Sequence, residues 1–177
     1  MEIKRVFDLL QHYVEKYPNQ QVALAGKKNG EWVKYSIQDY IEHANLLSYA
    51  MIELGIQPND KVAMILTNRP EWNMLDMAIS QIGAVTVPVY PTISEEDYRF
   101  ILADSDAKLV IIDGLSVMNK VYCFLVSIDT SFCTKWIYYS LRSGSSIPLY
   151  GTTMMPIIIG LLPIGGLSNY ILPFCFR

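Results

Sequence analysis

Residues 61–66 read KVAMIL, residues 85–89 read VTVPV and residues 108–112 read KLVII. The three runs are almost wholly apolar and start about 23 residues apart, and each is too short to be a buried helix. Between the first two lies a segment that opens with Pro70 and stops at Gly83, the residue types favoured at the first turn and just past the last. Between the second and third, Ser94-Glu95-Glu96-Asp97 forms a cap signature that opens a helix to about Asp104. Greasy runs of this kind suit strands covered on both faces, and the helices between them supply crossovers between parallel neighbours. The order β-α-β-α-β predicts an open, parallel α/β sheet over residues 61–112.

Upstream, the pattern is helix, hairpin, helix. Ser36-Ile37-Gln38-Asp39 predicts a capped helix whose buried stripe is Ile37, Tyr40, Ile41, Ala44, Leu47, Ala50, Met51 and Leu54, ended by Gly55. Two short strand-like runs, 22–25 and 32–35, flank Gly26-Lys27-Lys28-Asn29-Gly30, and the Asn-Gly pair marks a hairpin turn. Before them Ile3, Val6, Leu9, Leu10, Tyr13, Val14 and Tyr17 recur at steps of three and four, which predicts a helix that packs this face on the domain and ends at Pro18-Asn19. The first 18 residues alternate charged and apolar side chains, with no apolar core of a signal peptide, so a cytoplasmic location is expected.

Downstream, the composition changes. The chain has 177 residues and a net charge of −3, but residues 1–114 hold 10 basic and 16 acidic side chains, while residues 115–177 hold 4 basic and 1 acidic. Residues 143–176 carry no charge, and Cys123, Cys133 and Cys175 all lie past Gly114. The uncharged stretch is long enough to cross a bilayer, which takes about 20 residues. Pro148, Pro156, Pro163 and Pro173 would interrupt a helix there. Two parts are therefore expected, 1–114 as a folded domain and 115–177 as a hydrophobic, low-charge tail. A shift of reading frame near Gly114 explains the lost charge and the sudden cysteines together, a membrane-associated segment explains only the first, and a genuine continuation of the globular fold is the third reading.

The acidic balance argues against a nucleic-acid partner. No Cys or His pair stands at metal-ligand spacing, and His12 and His43 have no triad around them. No nucleophile elbow, Walker loop or dinucleotide fingerprint follows a strand.

Two stretches carry a resemblance. They are Asn68-Arg69-Pro70-Glu71-Trp72 and Gly83-Ala84-Val85-Thr86-Val87-Pro88-Val89-Tyr90-Pro91-Thr92. Tyr35-Ser36, Gly55-Ile56-Gln57-Pro58-Asn59-Asp60-Lys61-Val62-Ala63 and Ile93-Ser94-Glu95-Glu96 support them at matching distances. Over residues 1 to about 114 the chain resembles the N-terminal end of a long-chain fatty acid–CoA ligase of the AMP-binding, adenylate-forming superfamily. Where the family usually has glycine the chain has Asn59, which tolerates the same left-handed turn.

The resemblance implies the N-terminal part of the adenylate-forming fold. It also implies a reaction in two halves: a fatty carboxylate and ATP give acyl-adenylate and pyrophosphate, then coenzyme A displaces AMP. The intact family enzyme needs ATP, Mg²⁺ and coenzyme A, with a fatty acid as substrate. Its lysine-bearing Ser/Thr/Gly-rich phosphate loop and the parts beyond it lie downstream of the segment matched here. Gly151-Thr152-Thr153-Met154-Met155-Pro156 echoes the loop but has Met154, Ile157 and Ile158 in place of a glycine, the lysine and the closing glycine. No cofactor is therefore expected for this chain alone, and no catalytic, cofactor-binding or metal-binding residue is assigned. Asn68, Arg69, Pro70, Glu71, Trp72, Tyr90, Pro91 and Thr92 are expected to be structural: a strand-to-helix turn with Asn68 as cap and Trp72 facing the core, and a stiff loop at a strand end. The alternative function is a non-catalytic lipid- or partner-binding protein on the same scaffold, in peripheral contact with a membrane.

Overall fold

A computed structural model describes residues 3–125 and 135–139. The described residues form two compact units, residues 3–60 with 67–86, and residues 61–66 with the described residues from 87 onward.

The first unit holds helix α1 (Asp8–Lys16), strands β1 (Leu24–Lys28) and β2 (Glu31–Tyr35), and helices α2 (Ile37–Glu53) and α3 (Pro70–Gln81). Helix α1 begins later than its apolar spacing predicts. The Asp8 carboxylate accepts the amides of Lys4 and Arg5 at 3.1 and 3.0 Å and ties residues 4–8 into a turn ahead of the helix. Leu10 is buried and Tyr13 and Val14 pack on the core, while Ile3, Val6, Leu9 and Tyr17 are exposed. The expected seven-residue packing face is thus reduced to three.

The hairpin forms as its turn residues require. Asn29 and Gly30 both take positive φ, 53° and 87°, and β1 pairs antiparallel with β2 from Leu24↔Tyr35 to Lys28↔Glu31. Ser36 caps α2 in a complete box: its hydroxyl accepts the Asp39 amide, and the Asp39 carboxylate accepts the Ser36 amide at 2.8 Å. Of the expected stripe, Ile37, Tyr40, Ala44, Ala50, Met51 and Leu54 are buried. Ile37, Tyr40 and Ala44 share a cluster with Leu10 and Met74, on which Ile41 and Leu47 also pack. Ser48 is buried as well, with its hydroxyl 2.9 and 3.1 Å from the Ala44 and Ala78 carbonyls and 2.7 Å from the Gln81 amide.

The second unit carries β3 (Lys61–Ile65), β4 (Val85–Val89, whose last three residues belong here), helix α4 (Glu95–Ser105), β5 (Ala107–Asp113), helix α5 (Leu115–Leu125) and β6 (Lys135–Tyr139). The sheet order is β4-β3-β5-β6. Strands β3 and β5 are parallel, with Val62 opposite Leu109, and β5 and β6 are parallel, with Leu109 opposite Lys135. Strands β3, β5 and β6 thus make a parallel sheet, and the elements from β3 to β5 follow the predicted β-α-β-α-β order.

Burial differs between its strands. Val62, Ala63, Met64 and Ile65 of β3 and Leu109, Val110, Ile111 and Ile112 of β5 are buried, as expected for strands covered on both faces. Strand β4 is not covered in this way: Val85 and Pro88 are exposed. Among the described strands it lies at one end of the sheet order, a place where a proline without an N–H is tolerated. Helix α4 is capped by Ser94 and Asp97, and it sends Tyr98 and Leu102 into a core with Ala63, Ile65, Val110, Val117 and Val121.

The expected change of part at Gly114 falls at the β5–α5 junction, and α5 and β6 follow it. Val117 and Val121, four residues apart, put one side of α5 into the core. Cys133, Cys175, the 151–158 echo and the uncharged residues 143–176 lie outside the described residues. Among the described residues no helix is long and apolar enough to cross a membrane.

Candidate functional site

In the first unit, the turn from β3 into α3 gathers the first signature stretch. Pro70 occupies the first turn of α3 and is buried. A proline restricts the residue before it to extended backbone, and Arg69 is accordingly the N-cap, with φ −155° and ψ 158°. No side-chain cap bond is made there, so Asn68 is not the cap that the sequence predicts. Asn68 is exposed, and Trp72 is half-buried instead of fully in the core.

Arg69 turns back on Glu71. Its guanidinium donates through Nε to Oε2 at 2.9 Å and through a terminal nitrogen to Oε1 at 3.3 Å, a two-pronged pair. The pair lies close enough to Tyr35 to act on it: burial raises the phenol above its usual range, the Glu71 charge raises it further, and Arg69 offsets part of this. Pro70 packs against the hairpin. A Cβ on Gly26 would lie 2.7 Å from its Cδ and 2.9 Å from its Cγ. Spacing along the chain gives no sign of this contact, because the two residues lie 44 positions apart.

In the second unit, Tyr90, Pro91 and Thr92 follow β4. The Tyr90 ring is 78% exposed, while its carbonyl accepts a hydrogen bond at 3.1 Å from the hydroxyl of the fully buried Tyr98. Burial raises the Tyr98 phenol. The bond fixes the loop to α4, and the sequence singled out only its exposed half.

Among the described residues, no buried side-chain polar atom lacks a hydrogen-bond partner. His43 donates from Nδ1 to the Asp39 carbonyl at 2.6 Å and meets the Tyr35 ring edge-on. Thr86 donates to Asp76 at 2.8 Å, and Tyr40 donates to the Asn73 carbonyl at 3.1 Å. Among the described residues, no group of three or more His, Cys, Asp or Glu side chains is placed to hold a metal ion. Arg69, the cation of the signature, is engaged by Glu71. Neither stretch brings together a group of carboxylates or imidazoles that would hold Mg²⁺. What the two stretches build is rigid: a proline-led turn locked on the hairpin and a strand end locked on α4.

Residues 10–146 match the family model of the AMP-binding enzymes. The chain belongs to the AMP-binding enzyme family. The long-chain-fatty-acid–CoA ligase FadD15 of Mycobacterium bovis is 38% identical over 79 residues, which is 45% of this chain and 13% of that protein. The long-chain-fatty-acid–CoA ligase ACSBG2 of Xenopus laevis is 27% identical over 116 residues, 66% of this chain and 16% of that protein. Among solved structures, the fatty acyl CoA synthetase of Mycobacterium tuberculosis superposes with a TM-score of 0.65 at 24% identity, covering 76% of this chain and 26% of that one. The acyl-CoA synthetase of Brucella canis gives 0.63 at 20% identity, covering 76% and 24%. These superpositions show the fold. The chain spans 13 to 16% of the two curated relatives named here.

Proposed function

We propose that this chain carries the N-terminal scaffold of an ATP-dependent long-chain fatty acid–CoA ligase and does not activate a fatty acid on its own. The observation that carries the reading is the family match over residues 10–146, joined to relatives whose names specify long-chain fatty acids. The intact enzyme would take a fatty acid, ATP with Mg²⁺, and coenzyme A, and would release acyl-CoA, AMP and pyrophosphate. In that enzyme Asn68 to Trp72 and Tyr90 to Thr92 serve as structural turns.

The inactivity of the chain alone follows from charge. Transfer at the α-phosphorus builds negative charge on the leaving pyrophosphate, and stabilising it takes a lysine-bearing loop and a metal ion. In the 177 residues the only echo of that loop, at 151–158, has no lysine. Losing preorganised groups of this type removes roughly two to three orders of magnitude in rate for each. Palmitate-dependent exchange of labelled pyrophosphate into ATP by the purified chain is expected to equal a no-enzyme blank. Exchange above the blank would mean that an active site exists within these residues.

A further inference from the structure

The hairpin presents one face that the ligase reading does not use. Its register sets Lys27 opposite Trp32 and Ala25 opposite Lys34, and all four side chains are exposed. The alternate positions, Leu24, Gly26, Val33 and Tyr35, are half-buried on the other face. Trp32 is 63% exposed, and the Lys27 ammonium sits 5.5 Å from its ring centroid. At the tip, Lys28, Asn29 and Glu31 are exposed, and nothing lies within 4 Å of where a Gly30 Cβ would be.

Charge sets this element apart from its surroundings. Residues 24–35 hold three lysines and one glutamate, whereas residues 1–114 as a whole hold 10 basic and 16 acidic side chains. The Trp32 indole stands in the open beside the lysines. Its half-polar ring suits the headgroup layer of a bilayer, where tryptophan concentrates, and clustered lysines are drawn to anionic headgroups over about a Debye length. A long polyanion lying across the domain would meet its net negative charge.

We infer that the Ala25–Lys27–Trp32–Lys34 face, with Lys28 at the tip, is a contact surface for anionic lipid bilayers. The test is co-sedimentation of the full chain with phosphatidylcholine vesicles, with and without phosphatidylserine, at low and high salt. The readout is the increment due to phosphatidylserine, which an uncharged segment elsewhere in the chain does not produce. Wild type is expected to show an increment that high salt removes. Lys34→Gln should weaken it about fivefold, the effect of one lysine near such a surface. The triple variant Lys27→Glu, Lys28→Glu, Lys34→Glu should abolish it, and Trp32→Ala should weaken it without changing the salt dependence. Far-UV circular dichroism of each variant checks that the fold is retained. An absent increment in the wild type, or one retained in the triple variant, would overturn the proposal. Capture of single-stranded DNA that the triple variant loses, without any phosphatidylserine increment, would assign the face to nucleic acid instead.

Discussion

Residue by residue, the fold depends on a few contacts that no local pattern announces. Gly26 is the clearest. A methyl group there would meet the rigid ring of Pro70 at 2.7 and 2.9 Å, so the hairpin or the start of α3 would have to shift. Gly26→Ala is expected to destabilise the chain by about 1–3 kcal/mol, the usual range for overpacking, as measured by urea unfolding. Tyr40 gives a pH signature. Burial, with Asp76 second, pushes its phenol up to about 12, whereas the unfolded chain titrates near 10. The folded state therefore favours the neutral form, and that stability is complete below pH 10 and is lost as the pH rises towards 12. Tyr40→Phe is expected to lose less stability across that window than the wild type does, in urea titrations at stepped pH. Equal losses would show that other groups govern the alkaline limb. Pro70 was legible from the sequence because proline before a helical run has one favoured place. Gly26 was not, because its partner is distant in sequence, and Trp72 was misplaced because aromatic character alone does not say how deep a ring sits.

For whole elements, the local code was most readable where backbone chemistry decides. Ser36 with Asp39 and Ser94 with Asp97 both form complete capping boxes, as their three-residue spacing predicts. Ser36→Ala and Ser94→Ala are each expected to lower stability by about 1 kcal/mol, and the double variant by about the sum, because the two boxes share no partners. A double variant no weaker than either single one would show that the two caps are coupled. The Asn-Gly turn and the left-handed Asn59, with φ 71°, were legible for the same reason. Helix α1 was misjudged at its start because apolar spacing continues through residues 3–7, while Asp8 captures two amides and stops the helix from extending backwards. Strand β4 was misjudged in burial because greasy sequence does not reveal which strand lies at the end of a sheet order. Pro88 was the available signal.

Over the whole molecule, the chain joins a family scaffold to a stretch of different composition. Family likeness extends through residue 146, and α5 and β6 continue the sheet pattern after Gly114, where β6 adds beside β5 in parallel. Short apolar elements of this kind are hard to see in sequence when charged residues do not mark their outer faces. Within the candidate site, the signature residues could be found as a phrase, but the Arg69–Glu71 pair and the Tyr98–Tyr90 bond needed the fold. The central claim is that these residues are the leading piece of a ligase whose phosphate-gripping parts lie further along the gene. The measurement that tests it most directly is sequencing of the coding DNA from the Gly114 codon onward, translated in all three frames. The account expects a charged α/β sequence leading to a Ser-Gly-Thr-Thr-Gly-x-Pro-Lys-Gly loop in one of the two frames not used by this chain. Its absence from both would contradict the account, and the low-charge segment would then stand as this protein's own.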